Sequence, residues 1–281
     1  MPFITRPGKP TLHYQVDDFS DPWRKAGTIV LQHGYGRSTE FWYSWIPYLA
    51  RYYRILRIDL RGHGQSAVDF DPATESTLEN YLEDLLAVLD RSGLDAVHYC
   101  GESFGGILGM ALAAKHPSRV LTLSLVAAPV YQNQASQDAF AAGYPSREEA
   151  LRALGARKWA EQVYDKPQFF PAGSDRAMRE WYFDQIGKNN VEVLCGLYGL
   201  LRHASARDLL PLIEAPVLAL YPTSGSITSS EQEDLLVAGV RHLRIVHLPT
   251  ASHFIQTLNP AACATEVLHF AGQRDGIACH E

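Results

Sequence analysis

The most telling absences in this 281-residue chain concern membranes, metals and nucleic acid. No apolar run approaches the roughly 20 residues that a membrane-spanning helix needs, so no membrane partner is expected. The opening stretch "MPFITRPGKPTLHYQV" is broken by prolines where a secretory leader would carry an unbroken apolar segment; a cytoplasmic protein is expected. Cysteine is scarce: Cys100, Cys195, Cys263 and Cys279 show neither a CxxC pair nor metal-ligand spacing and read as small buried hydrophobes. The histidines form no HExxH or paired motif, so no metal is expected. Basic residues are not in excess. Lys and Arg number 25 against 31 Asp and Glu, a net charge of −6 with no basic stripe, which argues against nucleic acid and for a small-molecule substrate. No repeat or low-complexity tract is visible, and self-association into a homodimer is left open.

What is present is a chain 46% hydrophobic, enough for a large core, in which short apolar runs alternate with helical patterns. Strands are expected at 28–34, 54–64, 95–101, 121–129, 215–222 and 242–249. Helices are expected at 76–93, with Ser76 as N-cap and Gly93 as stop, and at 103–117, closed before Pro117. Such alternation is the pattern of a parallel sheet in an α/β protein. The rhythm breaks after Pro129. Residues 131–211 are helix-patterned with no strand, so 1–130 and 212–281 form the core and 131–211 an insertion over the strand ends. Its aromatics, Trp159 and Trp181 among them, read mainly as core of that insertion; these two, with Gly34, are also the candidates to edge a substrate pocket.

Three stretches carry chemistry. "GESFG" (101–105) fits G-x-S-x-G between an expected strand and an expected helix, the context this motif requires. Its glycines permit a tight reversal, which would expose Ser103 at a helix N-terminus that favours developing negative charge. "QHGYGRS" (32–38) is a Gly-rich turn at a strand end. It would let the Tyr35 amide approach Ser103 and form, with the Phe104 amide, an oxyanion hole; His33 would hold this loop. "LPTASHFIQTLNP" (248–260) places His253 on a strand-end loop downstream of the serine, where a general base belongs.

In their order, "LQHGYGRSTEFW", "IDLRGHGQS", "GESFGG" and "LPTASHF" resemble the α/β-hydrolase fold family. The last three look like its capped branch of esterases, lactonases and carbon–carbon-bond hydrolases, and the likeness runs from about residue 10 to residue 272. It implies a mostly parallel eight-stranded sheet with helices on both faces and a helical cap. It further implies a Ser103 nucleophile, a His253 base, the Tyr35 and Phe104 amides as oxyanion hole, no cofactor, and Asp59 and Arg61 as holders of loops.

One part of that pattern is missing. The family's acid usually follows the strand matching "PVLALYP", yet here "TSGSIT" (223–228) has no carboxylate; the other usual home, "SLVAAPVYQNQ" (124–134), has none either. Three readings follow. A carboxylate reaches His253 from elsewhere, from Asp138, Asp184, Glu231, Glu233 or Asp234; Glu102 is conceivable but is expected to point beneath the elbow instead. Alternatively the protein runs on a Ser–His dyad, with Ser224, Ser226 or a backbone carbonyl fixing the tautomer. Losing the acid then costs on the order of 10⁴ in rate, about 5 kcal/mol, which only a labile acyl compound tolerates. The third reading is a site that only binds. The expectation is a cofactor-free serine hydrolase of a small activated ester or lactone. The competing classes are a non-hydrolytic ligand-binding protein, an acyltransferase and a cofactor-independent oxygenase.

Overall fold

A computed structural model describes residues 2–23, 25–224 and 229–279. Its centre is an eight-stranded sheet: β1 (Phe3–Arg6), β2 (Lys9–Asp17), β3 (Thr28–Gln32), β4 (Arg54–Ile58), β5 (Val97–Glu102), β6 (Val120–Val126), β7 (Val217–Pro222) and β8 (Leu243–Leu248). The spatial order is β1-β2-β4-β3-β5-β6-β7-β8; β1 and β2 run antiparallel to their neighbours and all other pairs are parallel. The six strands read from apolar runs are all present, though the second ends at Ile58 and the fourth at Val126. The first two were not read individually. They form an edge hairpin reversed at Pro7-Gly8, where Gly8 has φ of 66°, and their half-buried pattern carries a weaker signal than the continuous apolar runs of β3 and β5.

Numbering only helices longer than one turn, α1 is Leu78–Arg91, α2 Phe104–Lys115, α3 Gln134–Phe140, α4 Arg147–Tyr164, α5 Arg176–Gly187, α6 Val191–Leu201, α7 Ser230–Gly239 and α8 Pro260–Asp275. Helix α1 buries Tyr81, Leu82, Leu85, Val88 and Leu89, one face at helical spacing. Its N-cap is Thr77, which accepts from the Asn80 amide, and not the expected Ser76, which ends a preceding one-turn helix. Helix α2 is buried from Phe104 to Ala113, as an apolar-all-round helix must be. One apolar cluster joins α1, α2 and the helices between β6 and β7. A second, with Trp42, Trp45, Val267 and Leu268, packs α8 against the other face of the sheet. Each such aliphatic side chain contributes about 1.5–3 kcal/mol by leaving water.

Between β6 and β7 the chain is helical, with α3 to α6 and one isolated bridge, Tyr131 to Ser205. Helix α4 is interrupted at Gly155, where φ is 75° and ψ 161°. Among the described residues no helix is long and apolar enough to cross a membrane, and no group of His, Cys, Asp and Glu could hold a metal ion. The four cysteines are unpaired, and three of them are buried.

Candidate active site

Strand β5 ends at Glu102, α2 begins at Phe104, and Ser103 between them makes the whole reversal, at φ 52° and ψ −117°. A positive φ at a non-glycine residue is a strained conformation that its surroundings must hold in place. The glycines allow the close approach: a Cβ on Gly101 would lie 2.2 Å from the Gly105 carbonyl oxygen, and one on Gly105 would lie 2.4 Å from that of Gln32. The Phe104 amide is the first of a helix and so has no acceptor within it.

The β3 end folds over this turn. His33 Nε2 accepts from the Leu60 amide at 3.0 Å, which leaves its Nδ1–H to donate to the Gly34 carbonyl at 2.8 Å. The ring is therefore neutral, and burial pushes its pKa down to about 3. Gly34 is a spacer and not a lining residue of the cavity: its amide donates to Glu102 Oε2 at 3.2 Å, and an added Cβ would lie 2.6 Å from that same oxygen and 2.9 Å from Ser103 Cβ. Tyr35, whose hydroxyl donates to the Leu194 carbonyl, and Phe104 both line the cavity above Ser103. Asp59 and Arg61 hold loops, as expected. Asp59 accepts from the Thr39 and Gln65 amides and pairs with His13; Arg61 grips Asp84.

His253 follows β8 on a loop fastened to the helical insertion. Its amide donates to the Gln168 carbonyl at 3.0 Å, while the Ser252 hydroxyl donates to the Phe169 carbonyl and accepts from the Phe254 amide. Ser103 and His253 line one cavity of about 40 Å³ with Tyr35, Arg37, Phe104 and Arg147. Burial, and then the nearby Arg37 charge, lower the His253 pKa to about 3. Buried neutral histidines carry a stability cost in acid, because the unfolded chain takes up protons that the fold refuses. The depressed pKa values of His33 and His253 leave stability intact above their unfolded value of 6.5 and remove it as pH falls towards about 3. Each should subtract about 1.4 kcal/mol per pH unit across that window. Urea denaturation at stepped pH between 7.5 and 4.5 checks this, and a flat profile would contradict it.

The carboxylate nearest this histidine is the one the sequence discounts. Glu102 Oε1 lies 3.9 Å from His253 Nε2, while Oε2 accepts from Arg37 Nη1 at 2.6 Å. The expectation that Glu102 points only beneath the elbow is corrected. It does reach under Gly34, but its second oxygen is buried without a hydrogen-bond partner among the described residues and lies 3.9 Å from the ring. Burial raises the Glu102 pKa, with Arg37 and the Gly34 amide acting against that rise. Arg37 is itself fixed by the Tyr182 hydroxyl at 2.6 Å and by the Phe254 ring, 5.0 Å from its guanidinium carbon.

The other candidates are engaged elsewhere. Asp184 pairs with Arg157, Glu233 with His247, Glu231 with the Tyr131 hydroxyl and Asp138 with Gln134, while Asp234 is exposed. Ser224 is exposed and does not hold His253, whose Nδ1 is buried with no hydrogen-bond partner among the described residues; Ser226 lies outside them. Trp159 and Trp181 are corrected as pocket residues. Trp159 is fully buried with its Nε1–H donated to the Phe140 carbonyl, behind Tyr35, and Trp181 packs on Phe41 and Tyr43. The insertion lines the cavity with Gln132, Ser136, Phe140, Arg147, Tyr164 and Leu201 instead.

Fold and site together define a parallel-sheet protein in which a serine strained at a strand–helix turn shares an enclosed cavity with a histidine. The chain belongs to the α/β-hydrolase fold family: a family model of that description matches residues 27–260. It is 25% identical to the putative carbamate hydrolase RutD of Azorhizobium caulinodans, over 95% of this chain and 97% of that one. It is 31% identical to 3-oxoadipate enol-lactonase 1 of Acinetobacter baylyi, over 73% of each. Among solved structures, a hydrolase from Pseudomonas aeruginosa superposes with a TM-score of 0.79 at 28% identity, covering 96% of this chain and 98% of that one. An enol-lactonase from Burkholderia xenovorans gives a TM-score of 0.79 at 24% identity, covering 96% and 99%, a likeness of fold alone.

Proposed function

We propose that the protein is a cofactor-free serine hydrolase of a small activated ester or lactone, acting in the cytoplasm without a nucleic-acid or membrane partner. The observation that carries this reading is Ser103 at positive φ on the same cavity as His253. Ser103 Oγ attacks the acyl carbon while His253 takes its proton. The Tyr35 and Phe104 amides receive the oxyanion. His253 returns the proton to the leaving oxygen; it then takes a proton from water, which attacks the acyl carbon, and passes it to Ser103 Oγ as the acyl–serine bond breaks. Residues 131–211 serve as the cap that excludes bulk water. Glu102, held by Arg37, supplies negative charge beside the imidazolium that forms, in place of the acid missing after β7. The relatives named as an enol-lactonase and a carbamate hydrolase support an activated acyl bond as the target.

Intact-mass labelling with a fluorophosphonate tests the reading. The native protein is expected to take one adduct, which Ser103→Ala abolishes and His253→Ala slows to the background rate. A folded native protein that takes no adduct after prolonged exposure would leave the cavity as a binding site only.

A further inference from the structure

Among the described residues four arginines are buried: Arg37, Arg57, Arg61 and Arg147. Three have a carboxylate. Arg37 pairs with Glu102; Arg57 grips Asp17 through Nε and Nη2 at 2.9 and 3.1 Å; Arg61 grips Asp84 through the same two atoms at 2.6 and 2.8 Å. Arg147 has none among the described residues. It is 2% exposed, and its Nε and Nη2, the same edge by which Arg57 and Arg61 grip their carboxylates, have no hydrogen-bond acceptor among the described residues.

The faces of its guanidinium are covered. The carbon lies 4.1 Å from the Tyr198 ring centroid and 4.3 Å from that of Phe140, with Tyr35 at 4.9 Å. Aromatic faces fix the plane of the group, and the Tyr35 hydroxyl interacts with the guanidinium while leaving Nε and Nη2 without an acceptor. Its position adds to the anomaly, since Arg147 opens α4, where a cation opposes the helix dipole. A desolvated cation lacking a partner is among the costliest things a fold can bury. This one lines the cavity of Ser103 and His253. There the Arg37 charge is met by Glu102 and His253 is neutral, so Arg147 is the uncompensated charge among the lining residues. Ser136 lines the same cavity, buried, with its hydroxyl unpartnered among the described residues.

We propose that Arg147 and Ser136 form a carboxylate subsite, so that the ester or lactone taken by this cavity bears a free carboxylate on a short chain. The inference rests on the hydrolase reading of the same cavity and names its substrate class. The fork of Nε and Nη2 suits a planar carboxylate bound through both oxygens. The small cavity suits a compact acid.

The test separates binding from turnover. Calorimetric titration of the Ser103→Ala protein with monomethyl glutarate, dimethyl glutarate, glutarate and inorganic phosphate reads the subsite without chemistry. The monoester and glutarate are expected to bind at least about tenfold tighter than the neutral diester. Arg147→Met in the same background erases that difference, and Arg147→Lys, which keeps the charge but not the fork, retains only part of it. With Ser103 present, kcat/KM should favour the monoester over the diester by a similar factor, carried in KM, and Arg147→Met should equalise the two. Equal binding of mono- and diester, or phosphate bound in preference to the carboxylates, would overturn the proposal. Loss of both esters alike in a folded Arg147→Met protein would do the same. Should that variant fail to fold, the comparison of charged with neutral ester and the lysine variant still decide. Absence of turnover with carboxylate binding intact would count against the hydrolase reading and leave the subsite standing.

Discussion

His253→Ala lowers the turnover of an activated ester by about 10⁴-fold or more, while Glu102→Gln lowers it by about 10²- to 10³-fold. Both figures follow from the charge that must appear on the ring. In the proposed mechanism, removing the base leaves Ser103 with no group to take its proton. Removing the Glu102 charge leaves a base that must become cationic beside Arg37, the charge that already depresses its pKa. A carboxylate oxygen 3.9 Å from Nε2 offsets that repulsion. Two unit charges at such a distance interact by about 4 kcal/mol at an effective dielectric constant near 20, or about three decades before screening. The two substitutions act on one proton, so Glu102→Gln should cost nothing further once His253 is gone. It should also move the acid limb of the kcat/KM profile to lower pH, because the ring loses a partner that favours its charged form. Initial rates with p-nitrophenyl acetate over a range of pH measure all three effects. Full activity in Glu102→Gln would reduce Glu102 to a packing role.

Arg37→Met destabilises the fold by about 3–5 kcal/mol, the usual consequence of stranding one member of a buried ion pair. Glu102, itself buried, then keeps the Gly34 amide at 3.2 Å as its remaining hydrogen-bond donor. The double variant Arg37→Met with Glu102→Met should recover most of the loss, since neither charge is then left buried alone. Urea denaturation of the two single variants and the double closes the cycle. A loss below about 1 kcal/mol in Arg37→Met would mean that water or another group compensates Glu102.

The parts of this site that are local in sequence were legible. A strand, a serine between glycines and a helix form one continuous segment, so the spacing of Gly101, Ser103 and Gly105 carries the geometry directly. His253 was legible for the same reason, as a histidine at a strand end. The electrostatics was not, because it is assembled from distant residues. Arg37 sits in a loop where an arginine reads as solvated, and only the fold brings it to Glu102, 65 residues away. Arg147 follows a good N-cap and precedes two acids, the appearance of an exposed first turn, although a lone cation there was a discordant sign. The two tryptophans misled in the opposite direction. A large amphipathic ring suits a pocket wall, but its N–H is also well served by a main-chain carbonyl, and Trp159 found that of Phe140.

The backbone of the base hangs from the insertion as much as from the sheet: His253 and Ser252 both donate to carbonyls at 168 and 169. On the proposed reading the general base therefore depends for its place on two neighbours remote in the chain: a displacement of residues 168–169 would carry the loop that bears the imidazole with it.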